Sequence, residues 1–108
     1  MKIALIGYGK MGMAIEEIAV AQGHQIVCRF SNPSFNPSDL TSADVAIEFT
    51  RPEAAYSNIL KCFKANLPVV VGTTGWYEHF RSVKTMAETN GYALFYATNF
   101  SLGVNIFF

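Results

Sequence analysis

Charge is scarce in this chain: of 108 residues only 15% are Asp, Glu, Lys or Arg, and eight basic side chains cancel eight acidic ones. No global field therefore favours nucleic acid or an anionic membrane, and a bound anion must be held by backbone amides and a few placed side chains. Long apolar runs are missing as well. Nothing approaches the ~20 residues that span a bilayer. The run Ile3 to Ile6, cut off by glycine, is too short for the apolar core of a secretion signal. The expectation is a cytoplasmic protein that engages neither membrane nor nucleic acid. Cysteine and histidine are equally sparse. Cys28 and Cys62 share no metal or redox spacing and read as buried free thiols. His24 and His79 stand isolated, as loop or surface residues, so metal chemistry is unsupported.

What is present is a 51% apolar chain of a size to form one domain. It opens on Lys2-Ile3-Ala4-Leu5-Ile6 and breaks into Gly7-Tyr8-Gly9-Lys10-Met11-Gly12. A strand, a G-x-G-x-x-G turn and a helix in that order are what a dinucleotide-binding turn needs, the alternative being a structural turn. Gly7 takes the tight turn, Gly9 lets a pyrophosphate approach the backbone, and Gly12 lets the helix pack closely. The first amides of that helix then face the phosphates.

Apolar runs and helical stretches alternate along the rest of the chain. A helix is expected over residues 10–22, with Met11, Ile15, Ile18 and Ala19 on its inner face, and Gly23 ends it. A second strand covers Gln25–Phe30, and residues 31–42, rich in Pro, Asn and Ser, form a loop. A third strand is expected over 44–49. Thr50 and Glu53 then have capping-box spacing at the start of a helix carrying Ala54, Ile59, Leu60 and Phe63. Residues 68–71 form a fourth strand, whose Val69-Val70-Val71 run implies burial on both faces. A third helix is expected from about Trp76 to Asn90, closed by Gly91, and a fifth strand over 92–97. The pattern predicts an α/β fold, a Rossmann-type, doubly wound parallel sheet in a single domain.

In such sheets ligands sit beyond the carboxyl ends of the strands. The chemically distinctive residues fall at those ends. Lys10 either meets a phosphate or is solvated. Tyr8 and Met11 pack around the turn. After the second strand, Arg29-Phe30-Ser31-Asn32 offers no acid for ribose hydroxyls, the nearest onward being Asp39. Ser31, Asn32 and Arg29 suit a 2′-phosphate, unless the cofactor is held mainly elsewhere. Arg51 stacks on an adenine, pairs with a phosphate or lies on the surface, and Phe49 offers apolar contact. Gly72-Thr73-Thr74-Gly75 suits a nicotinamide carboxamide, a ribose or a small anion, and is otherwise a polar loop. Ala97, Thr98, Asn99 and Phe100 follow the fifth strand, where an amide and a flat ring are available to a ligand.

These segments together resemble the cofactor domain of the 4-hydroxy-tetrahydrodipicolinate (dihydrodipicolinate) reductase family of lysine and diaminopimelate biosynthesis. The residues that carry the likeness are Gly7 to Gly12, Glu48-Phe49-Thr50-Arg51-Pro52-Glu53, Val71-Gly72-Thr73-Thr74-Gly75 and Thr98-Asn99-Phe100-Ser101-Leu102-Gly103-Val104-Asn105. The resemblance implies a pyrophosphate on Gly7–Gly12 and an adenosine end between Phe49 and Arg51. It implies a nicotinamide end along Gly72, Thr73 and Thr74, closed by Ala97 to Phe100. It also implies NADH or NADPH as cofactor, with a slight lean to NADPH tolerance because Ser31 stands where members often carry an acid. The substrate it implies is a small cyclic dicarboxylate, reduced by hydride transfer, and the assembly a homotetramer formed through a second domain. The family's His-His-x-x-Lys and Pro-Ser-Gly-Thr segments have no match here, so no catalytic residue is expected in this chain. Residues 1–102 are expected to form the dinucleotide-binding domain and 103–108 to open a linker helix to a second, substrate-binding domain. A stand-alone nucleotide-sensing module and another two-domain dehydrogenase are the competing readings.

Overall fold

A computed structural model of the chain describes residues 1–32, 34–97 and 104–107. The β-branched run Lys2–Ile6 forms β1, and Lys10–Ala21 forms α1. Gln25–Phe30 is β2, Val45–Glu48 is β3, Pro52–Lys64 is α2 and Val69–Val71 is β4. Phe80–Asn90 is α3, Leu94–Ala97 is β5 and Val104–Phe107 is β6. Strand order across the sheet is β2-β1-β3-β4-β5-β6, with the first five parallel and β6 antiparallel to β5. This is an α/β Rossmann-like fold, with the 2-1-3-4-5 strand order of the flavodoxin-like variant.

The alternation of side chains along β1 divides the interior. Ala4 and Ile6 join the larger core under α2 and α3, with Ala46, Ile59, Val69, Val71, Val83 and Leu94. Ile3 and Leu5 face α1 and Ala19, in a much smaller cluster. Among the described residues, one face of the sheet is thus thickly covered and the other is covered by a single helix.

Several local expectations are corrected. On α1, Met11 and Ile18 point outward, 48% and 61% exposed, while Gly12 and Ala19 are buried. Ala19 packs on Ile3 and Leu5 of β1, and Gly12 closes on the glycine turn, because small side chains allow the closest approach. The capping box of Thr50 and Glu53 does not form: Arg51 is the N-cap of α2, without a side-chain cap. Thr50 turns its hydroxyl to a carboxylate instead. The third helix starts four residues later than expected, since Tyr77–His79 is a short 3-10 turn. Gly91 closes α3 in the left-handed region, at φ 72°. The expected loop after β2 contains a 3-10 turn, Pro37–Leu40, and sends Phe35 and Leu40 into the core. Val69 and Val71 are buried, whereas Val70 is only half-buried. Finally, residues 104–107 form strand β6, where a linker helix was expected. Val104, Ile106 and Phe107 are strand-favouring types, and the edge of β5 offers an unpaired ladder to receive them.

Candidate functional site

Register brings the carboxyl ends of the strands level. Ile6 pairs with Phe30 and Glu48, Glu48 with Val71, and Val71 with Tyr96. The ladder then continues one step into the loops: Gly7 N–H donates to Phe30 C=O, Phe49 N–H to Ile6 C=O and Gly72 N–H to Glu48 C=O, each at 2.8 Å. The residues that follow β1, β2, β3 and β4 therefore emerge along one edge. β1 lies between β2 and β3, where successive crossovers diverge, and a cleft of about 500 Å³ opens there. Gly7, Tyr8 and Gly9 line it from one side, Phe30, Ser31 and Asn32 from another, and Phe49, Thr50 and Arg51 from a third.

The three glycines of the turn do different work. Gly7 sits at φ +101°, and a Cβ there would lie 1.8 Å from the carbonyl oxygen of Phe49. A Cβ on Gly12 would lie 2.5 Å from the carbonyl oxygen of Gly7, so this glycine lets α1 close on the turn itself. Gly9 is the exception, with nothing within 4 Å of a Cβ built on it. It is exposed, lines the cleft and is the N-cap of α1, whose first turn carries neither an acid nor a side-chain cap. First-turn amides lack intrahelical partners, so the open space beside Gly9 has the form that an anion cradle requires. The residues present thus fit a dinucleotide. Lys10 and Met11 are exposed and are not among the residues lining the cleft.

Around the cleft, Tyr8 lies under Arg29, whose guanidinium carbon is 5.7 Å from the ring centre. Arg29 Nε is 2.5 Å from Glu16 Oε1. That hydrogen bond holds the Glu16 carboxyl below its ordinary value. Arg29, read as suited to a 2′-phosphate unless the cofactor is held elsewhere, is thus already paired with an acid of α1. Asp39 is occupied too, accepting from the Asn36 N–H at 2.9 Å. The ring of Phe49 fills the space above Gly72, so that a Cβ there would fall 2.0 Å from Phe49 Cζ.

Beneath the cleft lies a polar knot. Glu48, fully buried, accepts from the Thr73 hydroxyl at 2.5 Å, from the Asn58 amide at 3.1 Å and from the Thr50 hydroxyl. Burial pushes its carboxyl up, against the three hydrogen bonds that pull it down. Thr73 is buried with its hydroxyl in this knot, whereas Thr74 is exposed. Ala97 ends β5 level with Val104; Thr98, Asn99 and Phe100 lie outside the described residues. Glu48, Asn58 and Glu16 were not singled out as site residues. An acid inside an apolar strand was the available signal for Glu48, and the inner face of α2, with Ala55, Ile59 and Cys62, was the signal for Asn58.

Residues 1–100 match the family model described as dihydrodipicolinate reductase, N-terminus. The chain belongs to that family. It is 47% identical over 110 residues to the 4-hydroxy-tetrahydrodipicolinate reductase of Christiangramia forsetii, all of this chain aligning with 46% of that protein. The enzymes of the same name from Staphylococcus saprophyticus and Staphylococcus carnosus are 37% and 35% identical, covering 97% and 98% of this chain and 46% of each relative. The chain therefore spans about half the length of these relatives. In fold it is similar to the signal receiver domain of a modulated diguanylate cyclase from Desulfovibrio desulfuricans G20, with a TM-score of 0.55 over 78% of this chain and 73% of that one. At 18% identity that likeness shows the fold alone, and it accords with the flavodoxin-like strand order. Among the described residues no helix is long and apolar enough to cross a membrane, and no group of three His, Cys, Asp or Glu could hold a metal.

Proposed function

We propose that this chain is the NAD(P)H-binding half of a 4-hydroxy-tetrahydrodipicolinate reductase. The observation that carries the reading is the open cradle at Gly9, set in a chain that matches the family's N-terminal part over residues 1–100. The pyrophosphate lies across Gly7–Gly12, with the first-turn amides of α1 donating to it. Phe49 and Arg51 flank the adenosine, and Ser31 and Asn32 reach its ribose. Gly72, Thr74 and the backbone of Thr73 line the nicotinamide end, with Ala97 to Phe100 closing it. Bound NAD(P)H supplies the hydride that reduces a small cyclic dicarboxylate. The chain's own part is to orient that cofactor along the carboxyl edge of the sheet. The groups that hold the substrate's carboxylates and protonate its ring belong to the second domain, through which the family's homotetramer also forms. Residues 1–102, with β6 as the sixth strand of the same sheet, are the dinucleotide-binding unit.

Calorimetric titration of the chain with NADH and NADPH tests this. Both should bind with affinities within about threefold of each other, since Ser31 repels no 2′-phosphate. Gly9→Ala should keep the melting temperature, because its methyl group meets nothing, and should weaken both cofactors by roughly tenfold by filling the cradle. Absence of binding below millimolar concentration, together with an indifferent Gly9→Ala, sinks the reading.

A further inference from the structure

A buried acid at the end of β3 is costly, and nothing in the sheet requires it. Its register neighbours are Ile6 and Val71, both buried and apolar, and an aliphatic residue at position 48 would continue that layer. What an aliphatic residue cannot make is directional bonds to hydroxyls on two separate loops. Glu48 Oε2 accepts from the hydroxyl of Thr50, in the loop after β3, and Oε1 accepts from the hydroxyl of Thr73 at 2.5 Å, in the loop after β4. The Thr73 oxygen accepts in turn from the Thr50 N–H at 2.7 Å, closing a ring of bonds between the loops. Asn58 pins the arrangement from α2, its amide donating to Glu48 Oε2 at 3.1 Å and to Thr50 Oγ1 at 3.3 Å. Above the knot the same two loops meet a second time, where the Phe49 ring lies over Gly72.

We propose that Glu48 is a positioning residue for the dinucleotide: its carboxyl fastens the loop after β3 to the loop after β4 and so fixes the span between the adenosine and nicotinamide ends of the site. The inference rests on the cofactor reading above. Glu48 itself is 0% exposed and is not among the residues lining the cleft. It acts through Thr50 and Thr73, whose neighbours Phe49, Arg51, Gly72 and Thr74 face the cofactor. The knot also tolerates a proton on the acid. The Thr73 hydroxyl has the Thr50 carbonyl within 3.3 Å, and the Thr50 hydroxyl has the Arg51 carbonyl at 3.3 Å. Either hydroxyl can therefore turn to backbone while Glu48 donates to its oxygen.

The test compares a ligand that spans both loops with one that reaches only the first. NADH and AMP are titrated by calorimetry into the wild-type chain, Glu48→Leu and Glu48→Gln, with melting curves recorded for each. Glu48→Leu should weaken NADH by about tenfold and AMP by less than about twofold, a loss of the size of one hydrogen bond. Glu48→Gln should recover NADH binding to within about threefold of wild type. Its Oε1 can accept from Thr73, and its amide can donate to Asn58 Oδ1, which has no partner now, once that amide flips. Equal losses of NADH and AMP, or an undiminished NADH affinity in folded Glu48→Leu, overturns the proposal. Should Glu48→Leu not fold, Thr73→Val cuts the same tie from the other loop at a buried, nearly isosteric position. The same NADH-selective loss is expected there, and NADH affinity unchanged in the folded protein overturns the proposal. A wild-type chain that binds neither ligand overturns the cofactor reading as a whole. One that binds both, with the variants unaltered, overturns only the role of Glu48.

Discussion

Gly7, Gly9 and Gly12 are equivalent as letters of a motif, yet a methyl group added to each meets something different. At Gly7 it strikes the Phe49 carbonyl oxygen at 1.8 Å on a backbone at φ +101°, so Gly7→Ala should cost roughly 2 kcal/mol or more in denaturant unfolding. That contrasts with the fold-neutral Gly9→Ala, and a Gly7→Ala protein as stable as wild type would refute the distinction. The buried acid gives a second prediction. Because burial raises the folded-state pKa of Glu48 above its ordinary 4.5, the native protein holds this proton more firmly than the unfolded chain does. Its contribution is present below the ordinary value and is lost as pH rises through the raised one. The melting temperature of wild type relative to Glu48→Gln should therefore fall as pH rises from the ordinary 4.5 through the raised value. A difference independent of pH would show that the carboxyl does not titrate in this way. Nearby, burial and the Glu48 carboxylate push the Cys62 thiol up to about 12. A thiol reagent at pH 8 should therefore label Cys28 first, and equal rates would contradict the burial of Cys62.

Among the elements, β1, β2 and β4 were legible because β-branched runs end in glycine or proline punctuation, and the parallel sheet followed from their alternation with helices. The carboxyl edge was legible for the same reason: level strand ends bring every loop motif to one side. Other features depended on partners distant in sequence. Met11 and Ile18 fit an apolar stripe, but α1 turns its small residues Gly12 and Ala19 inward. The Thr50–Glu53 spacing suggested a cap, but a buried carboxylate two residues before Thr50 claims its hydroxyl. The inward turn of Thr73 has the same cause. Arg29 and Glu16 come from different elements, β2 and α1, and only folding makes them a pair. Replacing Glu16 by Gln leaves Arg29, beside the cleft residues Phe30 and Ser31, without its ion pair, and on the proposed reading NADPH affinity should rise a few-fold relative to NADH. An unchanged ratio of the two dissociation constants would place the 2′-phosphate away from Arg29. At the end of α2, Asn66 adopts φ 52°, a conformation that favours glycine. Asn66→Gly should be neutral or stabilising by a few tenths of a kcal/mol in thermal unfolding, unlike most substitutions to glycine.

At the scale of the whole molecule, the sheet is unevenly supported. The face toward α2 and α3 carries the large core with Trp76, Phe63 and Tyr96, and the face toward α1 buries little more than Ile3, Leu5 and Ala19. Met11 and Ile18 on one flank of α1, and Met13 and Val20 on the other, are exposed. In amide hydrogen exchange, such a molecule opens from its thin side first. Amides of α1 and of the edge strand β2 should exchange well before those of β3 and β4, whose neighbours lie on both sides. Yet α1 is the helix whose first turn is assigned to the phosphates. On the proposed reading the grip on the cofactor thus belongs to a thinly packed part of the described fold, and NADH should slow exchange most in α1 rather than in the deep core. If ligand and helix stabilise each other in this way, a thinly packed helix of the free domain becomes a sensitive reporter of occupancy.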